Sequence, residues 1–163
     1  MACQLGFAEV VVELLKDHRV NPGDRNNTAI GIACQQGYLP IVKALLADPR
    51  VDPSADSNYA IKFSAQNGHT DVVELLLQDS RIDPGASRNY ALRSASALGY
   101  VKIVRALLND PRVDPTDEDN AAIKAAKLAN NLEMISLLES DPRVITKLKL
   151  EEQESISTTQ EIV

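Results

Sequence analysis

"DPRVDPSADSNYAI", residues 48–61, decides the fold because it returns. "DHRVNPGDRNNTAI" ends at Ile30, "DSRIDPGASRNYAL" at Leu92 and "DPRVDPTDEDNAAI" at Ile123. Arginine stands at 19, 50, 81, 112 and 143, a step of 31 residues each time. Pro22, Pro53, Pro84 and Pro115 keep that step, as do Asn27, Asn58, Asn89 and Asn120, and the leucines from Leu14 to Leu138. A fixed period of this length marks a solenoid, in which each unit buries its apolar face only against its neighbours. The units are a partial repeat at 1–18, four full repeats at 19–49, 50–80, 81–111 and 112–142, and a C-terminal cap with a solvated, disordered tail at 143–163.

Residues 50–80 show what one unit is. "RVDPSADS" is rich in Pro, Asp and Ser and reads as an extended lead-in followed by an exposed loop. Asn58 is expected to cap a first helix that carries Ala60, Ile61, Ser64 and Ala65 at helical spacing. Gly68 ends it in the left-handed conformation; its column reads Gly6, Gly37, Gly68, Gly99, Asn130, and Asn is the next most tolerant residue there. Thr70 is expected to cap a second helix, "TDVVELLLQ", with Val72, Val73, Leu76 and Leu77 on one face. The residue before Pro in "ADPR" and "NDPR" is biased away from helix and closes the unit. No segment alternates as a strand would, so the expectation is an all-α solenoid of stacked helix-turn-helix units.

Composition agrees. The chain is 44% hydrophobic and 25% charged, with 4% aromatic residues and no Trp, so its core must be Leu, Val, Ile and Ala. It lacks an apolar run long enough to span a bilayer, and no basic stretch precedes an apolar one at the start, which points to an intracellular, cytoplasmic chain with no membrane partner. Net charge is −6, a poor match to nucleic acid, and an affinity insensitive to salt would dispose of that reading. Cys3 and Cys34 share a column, but helices stack about 8–10 Å apart and a disulfide needs about 7 Å or less, so both are read as free, buried thiols. His18 and His69 do not provide metal-ligand spacing.

"SAQNGHTDVVELLL" and "SALGYVKIVRALL" resemble the A-x-x-G-H-x-E-V-V-x-L-L-L core of ankyrin repeats. The resemblance covers residues 1 to about 142 and implies helix pairs with a concave partner-binding face of loop tips and inner helices. The departures are informative. The T-P-L-H opening is replaced by "NTAI", "NYAI", "NYAL" and "NAAI", and the linker by "DPRVD", giving 31 residues where the family uses about 33. The family's His falls on Gly31, Lys62, Arg93 and Lys124, so Asn58 and its equivalents are expected to take over the capping. Met1 aligns with Ile32, so the first unit reads as a fragment of a longer array or a truncated frame. Its open apolar end, near Phe7 and "VVVELL", predicts self-association.

The repeated Asp–Arg–Asp cluster is a poor catalytic candidate, since catalysis needs one asymmetric site and these are near-identical copies. Ser64, Ser94 and Ser96 have no His beside them, and no phosphate-binding glycine motif occurs. No enzyme activity, cofactor or metal is expected. The variable positions carry function instead: the loop tips at 23–26, 54–57, 85–88 and 116–119, and an inner-helix stripe of Lys62, Arg93 and Lys124 with Gln66, Asn67, Leu98 and Leu128. Tyr59 and Tyr90 flank it as candidate anchors. The resemblance implies a non-catalytic scaffold that binds another protein, one with an acidic face if the stripe is read. The alternative is a structural spacer in a longer array. The terminal "EIV" is too short to mark a carboxylate-binding ligand.

Overall fold

The computed structural model describes residues 2–3 and 6–160, apart from the side chains of residues 119 and 154–160. Ten helices and no strands occur among the described residues. They are α1 (Ala8–Leu15), α2 (Asp24–Gln35), α3 (Leu39–Leu46), α4 (Ala55–Gln66), α5 (Thr70–Leu77), α6 (Ala86–Leu98), α7 (Val101–Leu108), α8 (Asp117–Leu128), α9 (Leu132–Glu139) and α10 (Pro142–Gln160). They form two layers. Inner helices α2, α4, α6 and α8 stack in order, outer helices α1, α3, α5, α7 and α9 stack beside them, and each inner helix packs on the outer helix that follows it. The core lies between the layers, where Ile30, Ile61, Leu92 and Ile123 from the inner helices meet Leu45, Leu76, Leu107 and Leu138 from the outer ones. Their 31-residue spacing is the solenoid seen from inside.

The glycine column does what its composition requires. Gly37, Gly68 and Gly99 have φ of 73°, 79° and 79°, and Asn130 has 52°. Close approach adds a second demand. A Cβ on Gly68 would lie 2.9 Å from the Tyr100 ring, and one on Gly37 2.4 Å from the His69 ring. The first residue after each turn therefore closes over the glycine one repeat back, and His69 also reaches the Gln35 carbonyl, 2.9 Å from Nε2. Thr70 is not the cap of α5: it is the first helical residue, His69 stands before it, and no side-chain cap bond forms. Only at α9 does a side chain cap an outer helix, Asn131 Oδ1 accepting from the Met134 amide at 3.0 Å.

The asparagine column differs from expectation. Asn58 does not start a right-handed helix; it ends a left-handed turn in which Asp56, Ser57 and Asn58 have φ of 53°, 53° and 60°. The same turn occurs at Arg25, Asn26 and Asn27, and at Ser87, Arg88 and Asn89. Left-handed geometry costs an L-residue about 1–2 kcal/mol, so something must hold it. Asn58 Oδ1 accepts from the Asp83 amide at 2.8 Å, Asn27 Oδ1 from Asp52 at 2.8 Å and Asn89 Oδ1 from Asp114 at 3.2 Å. The column is a staple between repeats, not a cap. At the last repeat the following amide is bound inside α10, where Ile145 N–H donates to Asp141, and Asn120 Oδ1 is left buried without a hydrogen-bond partner among the described residues. Asn58→Ala loses both the left-handed preference and the staple and should lower stability by about 2 kcal/mol. Asn58→Gly keeps the backbone conformation and should lose about half of that in urea unfolding.

The arginine column supplies the complementary tie. Arg81 holds Asp79 at 2.6 Å and donates to Val51 O at 3.0 Å and Leu46 O at 3.2 Å, both one repeat back. Arg50, Arg112 and Arg143 repeat the arrangement. Leu46 is the last residue of α3, so each guanidinium satisfies a carbonyl that the preceding outer helix leaves open. Among the described residues Arg19 pairs with Asp17 alone, and its side chain is 90% exposed.

These pairs set an acid limit. The Arg50 hydrogen bonds hold Asp48 at about 2, and the Arg81, Arg112 and Arg143 guanidinium groups hold Asp79, Asp110 and Asp141 below the ordinary carboxylate range. A carboxyl lower in the folded than in the unfolded state stabilises above its unfolded value of about 4. That stabilisation is lost as pH falls from about 4 towards 2. A circular dichroism titration should unfold the array across this window, and an Asp79→Asn, Asp110→Asn variant should show a shallower fall.

The C-terminus departs from the expected tail. Thr146 and Ile145 stand where earlier repeats have Pro115 and Asp114, so no turn forms and α10 runs unbroken to Gln160. Val144 is buried and Leu148 packs on the core, whereas Ile145 and Leu150 are exposed. Asn120 Nδ2 donates to Glu151 at 2.8 Å and ties α10 to the last loop tip. The "EIV" terminus lies outside the described residues. Cys3 and Cys34 are both free, and burial pushes the Cys34 thiol up to about 12.

Candidate protein-interaction surface

The inner helices start at the loop tips, and one column at a step of 31 residues runs along them close to those tips. That column reads Gly31, Lys62, Arg93, Lys124. The stripe is not a row of three unpaired cations. Lys62 Nζ donates to Ser87 Oγ of the next repeat's tip at 3.2 Å. Arg93 pairs with Glu118 of the following tip at 3.1 Å, and its guanidinium lies 6.0 Å from the Tyr90 ring centre. Arg88 converges on the same Glu118. The Arg93 charge is thus largely answered within the chain, and its Nε is buried with no hydrogen-bond partner. Lys124 is exposed.

Tyr59 and Tyr90 are tied back into the scaffold. Tyr59 donates from its hydroxyl to Gln35 Oε1, and Tyr90 to Gln66 Oε1, each at 3.1 Å across one repeat. Their rings stay half-buried, which leaves a fixed face available. Lys62, Arg93, Tyr59, Tyr90 and Gln66 therefore come together. Asn67, Leu98 and Leu128 lie at the other ends of the inner helices. There Asn67 Nδ2 donates to the Phe63 carbonyl at 2.7 Å, and Leu98 and Leu128 are 52% and 90% exposed.

Two residues on this face were not singled out from the sequence. Phe63 stacks on Tyr59 with ring centres 4.0 Å apart and stands 6.1 Å from Tyr90, making an aromatic strip across α4 and α6. Its column reads Ile32, Phe63, Ser94, Ala125, too varied to attract notice. Gly31 opens a cavity of about 250 Å³ between the tips of the first two full repeats, and its position in the cation column was the available signal. The serines are occupied: Ser64 donates to Ala60 O at 2.6 Å and Ser96 to Leu92 O at 2.7 Å. Among the described residues no helix is long and apolar enough to cross a membrane.

Stacked helix pairs with an open inner face define a helical-repeat solenoid. The family model for ankyrin repeats in three copies matches residues 47–119, and that for a single ankyrin repeat matches residues 25–58. The chain belongs to the ankyrin repeat family, whose repeats are generally protein–protein interaction modules. Comparison with curated proteins gives no match.

Proposed function

We propose that the chain is a non-catalytic scaffold that lays a protein partner across its loop tips and inner helices. The aromatic strip of Tyr59, Phe63 and Tyr90 carries this reading. Large aromatic side chains that stay half-exposed, the two tyrosines held by hydrogen bonds and Phe63 by stacking, are what interface anchors need: apolar area with little ordering entropy left to lose. An acidic segment of the partner would meet Lys62 and Lys124 beside the strip, with Arg93 withdrawn into its pair with Glu118. Gln66, Asn67 and Leu98 would extend the contact toward the far ends of the helices.

The test is capture from cell lysate with this chain beside a Lys62→Glu, Phe63→Ala, Lys124→Glu variant, matched for helicity. A partner retained by the first and lost by the second supports the reading. Equal retention by both would overturn it by moving the site off the inner helices, and no specific retention by either would favour the spacer role. Self-association is a second reading, favoured by exposed Phe7 just before α1 and Val10, Val12 and Leu14 on it. Sedimentation should then show dimers at rising concentration that Val10→Lys, Leu14→Lys abolishes; a monomer throughout would count against it.

A further inference from the structure

Each junction between inner helices is built from the same three positions. One is the inner-helix position held by Gly31, Lys62 or Arg93. The second is the tip residue of the next repeat, Asp56, Ser87 or Glu118. The third is the residue that opens the next inner helix, Tyr59, Tyr90 or Ala121. In the second junction a cation reaches across to the tip, Lys62 to Ser87. In the third a cation does so again, Arg93 to Glu118. In the first junction glycine has removed the cation, but the carboxylate remains on Asp56, where it makes no ion pair among the described residues.

The space left is real. It measures about 250 Å³ and is lined by Gly31, Tyr59, Asp52, Asp56 and Pro53, with Arg25 among its lining residues. The Tyr59 ring forms a wall directly over the glycine, 3.2 Å from where a Cβ would stand, and it is fixed by its hydrogen bond to Gln35. Asp52 is partly used, accepting from the amide and hydroxyl of Ser54 at 2.9 and 2.6 Å. Asp56 is not. An aromatic face beside an unanswered carboxylate is the chemistry that receives a guanidinium or ammonium group.

We propose that this pocket receives a lysine or arginine side chain of the partner, which takes in trans the place that Lys62 and Arg93 fill in cis. The proposal deepens the interaction-surface reading and rests on it for its biological sense. It also gives the partner a pattern: a basic residue at the first junction, followed along the stack by acidic residues opposite Lys62 and Lys124. Arg25 also lines the pocket, and a single residue is expected to bind in the millimolar range.

Arginine amide is the probe, with citrulline amide as its uncharged analogue of nearly the same shape, titrated into the labelled chain and followed by amide chemical shifts. Arginine amide should produce saturating shifts at Gly31, Asp56 and Tyr59, and citrulline amide should leave them unmoved. Gly31→Lys, which puts the cation back in cis, should abolish the response. Asp56→Asn, a change at an exposed loop residue that leaves the core untouched, should weaken it roughly fivefold. An equal response to citrulline amide, no localised response to arginine amide, or undiminished binding by Asp56→Asn would each overturn the proposal. The titration needs no partner protein, so its failure leaves the interaction surface to be judged by the capture experiment alone.

Discussion

Leu76→Ala is expected to lower the free energy of unfolding by about 3 kcal/mol, read from the urea midpoint. Leu76 is fully buried on α5, which packs on α4 within its own repeat and on α3 and α7 to either side. Truncation opens a void in the middle of this packing, and helices this short depend on tertiary packing rather than on intrinsic propensity. The chain has few aromatic residues to fill the void; its core is a lattice of similar aliphatic side chains, and a gap in one layer is not closed by its neighbours. A solenoid's stability is close to a sum of repeat and nearest-neighbour terms, so the loss falls on the central junctions. The transition should broaden as the two ends uncouple. Leu77→Ala, next in sequence but only half-buried, should cost about 1 kcal/mol and leave the slope unchanged. Equal effects at the two positions would mean that the outer layer is not packed as described.

Only part of that contrast was legible in the repeat: helical spacing puts Val72, Val73, Leu76 and Leu77 on one face, and the first three are buried, but it does not separate Leu76 from the half-buried Leu77. The glycine column was legible for the same kind of reason: a backbone demand leaves a residue-type signature at one position. What could not be read were the ties between repeats. Asn is favoured both as a helix cap and in the left-handed conformation, so an Asn before a helix fits either role. Only the partner, an amide 25 residues on, separates them. Arginine beside aspartate reads as a local pair, and that pair exists, but its other donors reach carbonyls 30 and 35 residues back. The candidate surface was half legible. Variation among copies marked positions 62, 93 and 124, yet Arg93 turned out to be answered by Glu118, and Gly31 to line a cavity beneath the Tyr59 ring. Both facts depend on side chains from the next repeat, which a column read on its own does not contain.

Gly68→Ala should lower stability by about 2–3 kcal/mol. Two independent penalties meet there. The backbone has φ of 79°, which an L-residue adopts at a cost of about 1–2 kcal/mol. The new Cβ would also stand 2.9 Å from two atoms of the Tyr100 ring, so the next repeat must shift outward. That shift is constrained, because Val101 begins α7 directly after Tyr100 and α7 is packed against α5. The two penalties can be separated. In a Tyr100→Ala background the ring is gone, and adding Gly68→Ala should then cost only the backbone part, about 1–2 kcal/mol, so the cycle should show a coupling of roughly 1 kcal/mol. Position 130 shows the same logic within the native chain. Asn130 keeps a left-handed φ of 52° but is exposed, and there the column tolerates a side chain. If Gly68→Ala proved as mild in both backgrounds, the packing of Tyr100 over the turn would not be what holds glycine in this column.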